Sequence, residues 1–315
     1  MIEYLYLVIG FVLLVAGASY LIRGSTNLAK RLGVSELIVG LTILAFGTSL
    51  PELMVSILAA VGGNTQLALG NIIGSNISNT LLILGLSAVI IPLTVNGRIV
   101  WKEMPISIFA VALLVILSAE VLFGSDPVLG RLDGLILVSF FIVFLYYSYK
   151  SLKFAKVVDV GIKKHKDFFT ALMILGGLAA VLYGSNLIVD NAVLIASNVG
   201  ISQFLVSATF IAIGSSLPEL VVSITAILKK KSALAVGNIV GSNIFNIFYI
   251  LGITALISPV ALPLFVFFDI TFLLIASVLL FAFMFMGRKS ALGKSSGITF
   301  LILYLIYLMI IIARG

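Results

Sequence analysis

The 315 residues are 62% hydrophobic and 10% charged, against about 25% charged in a soluble domain, so the chain lacks the polar surface to stay in water. Long apolar runs recur from end to end, which makes it a polytopic membrane protein rather than a globule with one anchor. The formal charge of +7 is read as loop charge at a membrane face, not as a nucleic-acid surface. With no cysteine, disulfides and thiolate metal sites are excluded.

Some 20 apolar residues cross a bilayer, and that ruler predicts ten spans, at roughly 3–22, 35–60, 67–91, 105–123, 132–149, 169–189, 200–228, 233–258, 264–286 and 297–312. The first is read as a span and not a signal peptide, because Met1-Ile2-Glu3 carries no basic residue and the apolar core is too long. Charge then sets the orientation. The segment between spans 1 and 2 holds Arg23, Lys30 and Arg31, and that between spans 3 and 4 holds Arg98 and Lys102. Lys150, Lys153, Lys156, Lys163, Lys164 and Lys166 follow span 5, Lys229, Lys230 and Lys231 follow span 7, and Arg288, Lys289 and Lys294 follow span 9. Only Arg131 and Arg314 fall on the opposite side, so the crowded side is expected to be cytoplasmic and both termini extracellular. Asp190, Glu120, Asp126 and Asp133 read as interfacial residues at extracellular span ends, and Trp101 as an interface anchor. His165 reads as solvated in the basic loop, and the tenth helix, with Tyr304 and Tyr307, as scaffold; the depth of Asp269 stays open.

One stretch occurs twice. Gly47-Thr48-Ser49-Leu50-Pro51-Glu52-Leu53 returns as Gly214-Ser215-Ser216-Leu217-Pro218-Glu219-Leu220, and the block from Gly70 to Asn79 returns from Gly237 to Asn246, both at an offset of 167 residues. Five spans separate equivalent positions, and an odd number inverts the second copy. The expectation is an all-α polytopic membrane protein with ten transmembrane helices in two inverted five-helix repeats, 1–152 and 169–315, joined by a basic cytoplasmic linker at 153–168.

Each copy sets a carboxylate deep in an apolar run, where insertion costs about 2.5–3.5 kcal/mol, so Glu52 and Glu219 need a partner or a cavity. Two ionised carboxylates in a dry site need a cation between them. Pro51 and Pro218 are expected to kink their helices and free the carbonyls of Gly47 and Gly214. Thr48 with Glu52, Ser215 with Glu219, Ser75 with Asn79 and Ser242 with Asn246 are each spaced i, i+4 and share a helix face. The set offers oxygen but no imidazole or thiolate, which suits Na⁺, Ca²⁺ or Mg²⁺ and disfavours Zn²⁺ or a redox metal. Gly70, Gly74, Gly237 and Gly241 are spaced as small residues where membrane helices meet.

These paired blocks resemble the repeats of the cation/calcium exchanger superfamily, specifically the sodium/calcium exchangers, over nearly the whole chain. The resemblance implies antiport of Na⁺ against Ca²⁺ at a site in the membrane centre, three Na⁺ or one Ca²⁺ in turn, with no enzymatic activity and no cofactor. It implies ligands from Thr48, Ser49, Glu52, Ser75 and Asn79, from Ser215, Ser216, Glu219, Ser242 and Asn246, and from the main-chain carbonyls of Ala45 and Ala212. The partners implied are the lipid bilayer and the ions, the place is the plasma membrane, and nothing points to nucleic acid or a protein partner. Position 246 is Asn where some relatives carry Asp, which argues against K⁺ co-transport and against a third protonatable carboxylate. Three rivals have different signatures. H⁺-coupled exchange on the same fold would need no Na⁺. A passive channel needs an open file of sites, and a serine hydrolase at Ser75 or Ser242 needs a nearby base that the lone histidine does not offer.

Overall fold

Helix α1 runs from Ile2 to Leu32, 31 residues or about 46 Å, well beyond the roughly 30 Å of a hydrocarbon core. Arg23, Lys30 and Arg31, expected in a loop, are therefore part of the helix. Lysine and arginine are good helix formers, and at a C-terminal end they complement the helix dipole, so nothing in them stops the helix at the membrane surface. Gly33 stops it. Its φ of +70° takes the left-handed conformation, and the Val34 N–H donates to the Ala29 carbonyl at 2.9 Å to close the end.

The structure is a computed structural model and describes residues 2–94, 97–119, 128–154, 167–198, 212–286 and 291–314. Most of the basic linker including His165, the residues Glu120, Asp126, Arg288 and Lys289, and the first part of the seventh expected span (200–211) lie outside them. After α1 come α2 (Glu36–Thr48), α3 (Leu50–Val61) and α4 (Thr65–Ile90), then β1 (Leu93–Thr94) and α5 (Gly97–Ser118). The first half closes with β2 (Val128–Leu129) and α6 (Arg131–Phe154). The second begins with α7 (Asp167–Asn198), α8 (Ala212–Ser215), α9 (Leu217–Leu228) and α10 (Ser232–Ile257). It ends with β3 (Val260–Ala261), α11 (Leu264–Met286), β4 (Ala291–Leu292) and α12 (Lys294–Arg314). Among the described residues eight helices are long and apolar enough to cross a membrane, nine when α2 and α3 count as one bent span.

The core sits around α4 and α10, whose apolar windows are 78% and 83% buried, while α12 and α7, at 17% and 22%, lie at the periphery. Contacts between the halves follow the 167-residue offset. On α1 and α7, Gly10 meets Gly184 and Gly17 meets Gly177, so these two helices cross antiparallel with backbone against backbone. Gly237 and Gly241 of α10 lie against the Leu37 and Leu41 carbonyls of α2, each so close that a Cβ would stand 2.5 Å from the oxygen. Gly70 and Gly74 differ from expectation, because no described atom lies within 4 Å of a Cβ placed there. The four strands, which the apolar runs do not announce, form two short antiparallel pairs, β1 with β4 and β2 with β3, each joining one half to the other.

Asp269, left open by the sequence, faces the end of α12. Arg314 Nη1 donates to its Oδ1 at 2.9 Å, and the guanidinium lies 4.3 Å from the Phe268 ring. Trp101 is half exposed and packs edge-on against Phe281 and Phe285 at 5.5 and 4.6 Å.

Candidate cation site

The break between α2 and α3 makes the site. The two helices meet at 46°, and Ser49 between them has φ −84° and ψ 9°. Ser216, in the second half, repeats this at −87° and 4°. Both fall in the sparsely populated bridge region where functional residues often sit. Proline at the second position of the new helix forces the break, since Pro51 and Pro218 have no N–H to continue the ladder. Of the carbonyls expected to be freed, that of Gly214 is taken by the Ser185 hydroxyl of α7 at 3.3 Å, so it serves packing. The Ala45 carbonyl accepts from the Ser49 N–H at 3.0 Å and also lies 3.4 Å from the Thr48 hydroxyl, which can donate to it.

A second local irregularity sets the asparagines. Helices α4 and α10 open into π-helical turns at Ser78–Ile83 and Phe245–Leu251, which carry Asn79 and Asn246. Such turns cluster at functional sites because they redirect side chains.

Glu52 and Glu219 are each 1% exposed. Ser75 donates to Glu52 Oε1 at 3.4 Å, while Ser49 and Ser242 donate to Glu219 Oε1 at 3.2 and 3.5 Å. The Ser49 bond crosses from one half to the other, and Ser75 Oγ lies 3.5 Å from Ser215 Oγ, so both motifs close on one place. A ring of amides surrounds it. Thr48 donates to Asn238 Oδ1 and Ser215 to Asn71 Oδ1, both at 3.2 Å. Asn238 in turn donates to Ser223 and Asn71 to Ser56, again in equivalent pairs.

Five buried oxygens here have no hydrogen-bond donor: Glu52 Oε2, Glu219 Oε2, Asn79 Oδ1, Asn246 Oδ1 and Ser216 Oγ. All five belong to residues expected to hold ions. Buried acceptors without partners are destabilising unless something electropositive meets them. A bare cation does so, and hard oxygens with two carboxylates suit Na⁺ or Ca²⁺. The hydroxyls of Thr48, Ser49, Ser75, Ser215 and Ser242 spend their protons on neighbouring acceptors or lie in contact with one another, and each oxygen keeps lone pairs.

The family model for sodium/calcium exchanger proteins matches residues 2–150 and 169–313. The chain belongs to the sodium/calcium exchanger family. Within it, the chain is 34% identical over 303 residues to the inner membrane protein YrbG of Escherichia coli, covering 93% of this chain and 91% of that one. It is 28% identical to the sodium/calcium exchanger MaX1 of Methanosarcina acetivorans over 98% of both. Among solved structures it matches the sodium-calcium exchanger NCX_Mj, soaked with 2.5 mM Na⁺ and 10 mM Sr²⁺, at 32% identity and a TM-score of 0.84 over 98% of each chain. A cation/Ca²⁺ antiporter in a membrane is what this family membership carries.

Of the twelve residues expected at the site, Ser49, Ser75 and Ser242 hydrogen-bond to the two glutamates and Ser215 meets Ser75, while Asn79 and Asn246 bond to asparagines of the opposite half. Sequence reasoning missed the supporting asparagines Asn71, Asn76, Asn238 and Asn243. Their signal was present, since they recur at the same offset as the ligands. It also gave no role to Glu103 of α5, which follows Lys102 just before the expected fourth span and is buried, accepting from the Tyr147 hydroxyl at 3.0 Å.

Proposed function

We propose that the chain exchanges Na⁺ for Ca²⁺ by alternating access at this site, with three Na⁺ and one Ca²⁺ occupying it in turn. The observation that carries the reading is the set of five buried, partnerless oxygens on the two repeated motifs. Ligands come from Thr48, Ser49, Glu52, Ser75 and Asn79 and their counterparts Ser215, Ser216, Glu219, Ser242 and Asn246, with the Ala45 and Ala212 carbonyls at the ends. Two ionised glutamates give the site −2. One Ca²⁺ neutralises it and three Na⁺ leave one positive charge, so each cycle moves one net charge. An empty −2 site is disfavoured in a closing, water-poor cavity, which couples the two fluxes.

The same reading takes the fold as ten spans in two inverted repeats in the plasma membrane, with both termini outside. The antiparallel pairing of Gly10 with Gly184 and Gly17 with Gly177, and the reciprocal strand pairs, support the inversion.

The test is radioactive Ca²⁺ uptake into proteoliposomes, comparing an outward Na⁺ gradient with an outward H⁺ gradient. Uptake driven by Na⁺ alone, and abolished in Glu52→Gln and in Glu219→Gln, is the expected result. Uptake driven by H⁺ alone would overturn Na⁺ coupling.

A further inference from the structure

We infer that Asn76 and Asn243 are positioning residues for cation binding: each grips the amide of the asparagine in the opposite half so that its oxygen, not its NH₂, faces the ion. The inference rests on the cation-site reading above.

An asparagine amide has two ends of nearly the same shape and opposite chemistry. Oxygen stabilises a cation and NH₂ repels it, so Asn79 and Asn246 work as ligands only in one of two orientations. Their own positions on α4 and α10 do not choose between them. The opposite half does. Asn79 Nδ2 donates to Asn243 Oδ1 at 3.1 Å, and Asn246 Nδ2 donates to Asn76 Oδ1 at 2.9 Å. Each bond commits the NH₂, and the Oδ1 of Asn79 and of Asn246 is left buried with no donor. The two bonds are equivalent under the 167-residue offset, so each half orients a ligand of the other.

The gripping residues must themselves be fixed. Asn76 Nδ2 donates to the main-chain carbonyl of Asn243 at 3.4 Å. A carbonyl only accepts, so this contact decides which end of Asn76 points where, and Asn76 Oδ1 is left for Asn246. Asn243 Nδ2 donates instead to Thr80 Oγ1 at 2.9 Å. The residue 167 positions after Thr80 is Ile247, which has no hydroxyl, and this is why Asn76 turns to the main chain. All four asparagines are at most 4% exposed, so water does not compete for these bonds.

The experiment is equilibrium Ca²⁺ binding to the purified protein in detergent, with no transport needed, for wild type, Asn76→Leu, Asn246→Ala and the double variant. Leucine matches asparagine in size and offers neither donor nor acceptor. Loss of a supporting partner typically weakens metal binding about 10–100-fold, so Asn76→Leu should raise the Ca²⁺ Kd at least about tenfold. In the Asn246→Ala background the same substitution should change Kd less than about twofold, because the group it positions is gone. The Ca²⁺-free melting temperature reports folding separately, and Asn76→Ala replaces Asn76→Leu in the cycle should the latter not fold. An unchanged Kd in Asn76→Leu, or equal effects in both backgrounds, would overturn the positioning role while leaving the exchanger reading in place. A wild-type protein that binds neither Ca²⁺ nor Na⁺ would overturn both.

Discussion

Adjacent glycines on α7 should respond to alanine with opposite signs. A Cβ at Gly177 would stand 2.6 Å from the Leu21 nitrogen, 2.8 Å from the Gly17 oxygen and 3.0 Å from the Leu21 Cα, all backbone atoms of α1. Ordinary contact begins at 3.4 Å, so no side-chain rotation relieves the clash and the two helices must part by close to 1 Å. Overpacking of this kind costs about 1–3 kcal/mol, and the helix-propensity gain of about 0.8–1.0 kcal/mol offsets only part of it. At Gly176 no described atom lies within 4 Å, so the propensity gain stands alone. Gly177→Ala should therefore be less stable than Gly176→Ala by about 1–3 kcal/mol, measured by reversible SDS unfolding in mixed micelles. Gly177→Ala matching or exceeding Gly176→Ala would mean that α1 and α7 do not cross where the structure sets them.

Three further outcomes follow from the site and its surroundings. With one net charge per cycle, a clamped potential of 100 mV should shift the equilibrium Ca²⁺ ratio across proteoliposomes by about 50-fold, from 2.3 kcal/mol per charge; no shift would mean electroneutral exchange. Arg314→Met removes the cation from both Asp269 and the Phe268 ring and should destabilise the protein by about 1–2 kcal/mol, between the limits for exposed and buried pairs. Adding Asp269→Asn should recover most of that loss in the same unfolding assay. Glu219→Gln removes a charge that two serine hydroxyls meet, and Ca²⁺-dependent stabilisation of the purified protein should fall below detection while Ca²⁺-free melting changes little.

Much of the candidate site was readable from residue type alone. Carboxylates are so disfavoured in an apolar run that Glu52 and Glu219 identified themselves, and the prolines beside them marked the breaks. Asp269 obeys the same logic but has no repeat counterpart, and Glu103 stands beside Lys102, so repetition could not separate either from interfacial charge. The glycine expectation was half met, because spacing shows that a helix has a smooth face without showing what lies on it. Gly237 and Gly241 meet α2, whereas Gly70 and Gly74 meet no described atom.

By itself, the sequence determined that the chain is a polytopic membrane protein, that two of its blocks repeat at one offset, and which side chains are the candidates for holding a cation. These follow from transfer free energy and backbone covalency, which act within a few residues. Tertiary structure alone decided that Ser49 reaches Glu219 instead of Glu52. It alone decided the direction of each asparagine amide. Those outcomes depend on atoms 160–170 residues away in the chain, and no local pattern records which end of an amide a distant partner will hold.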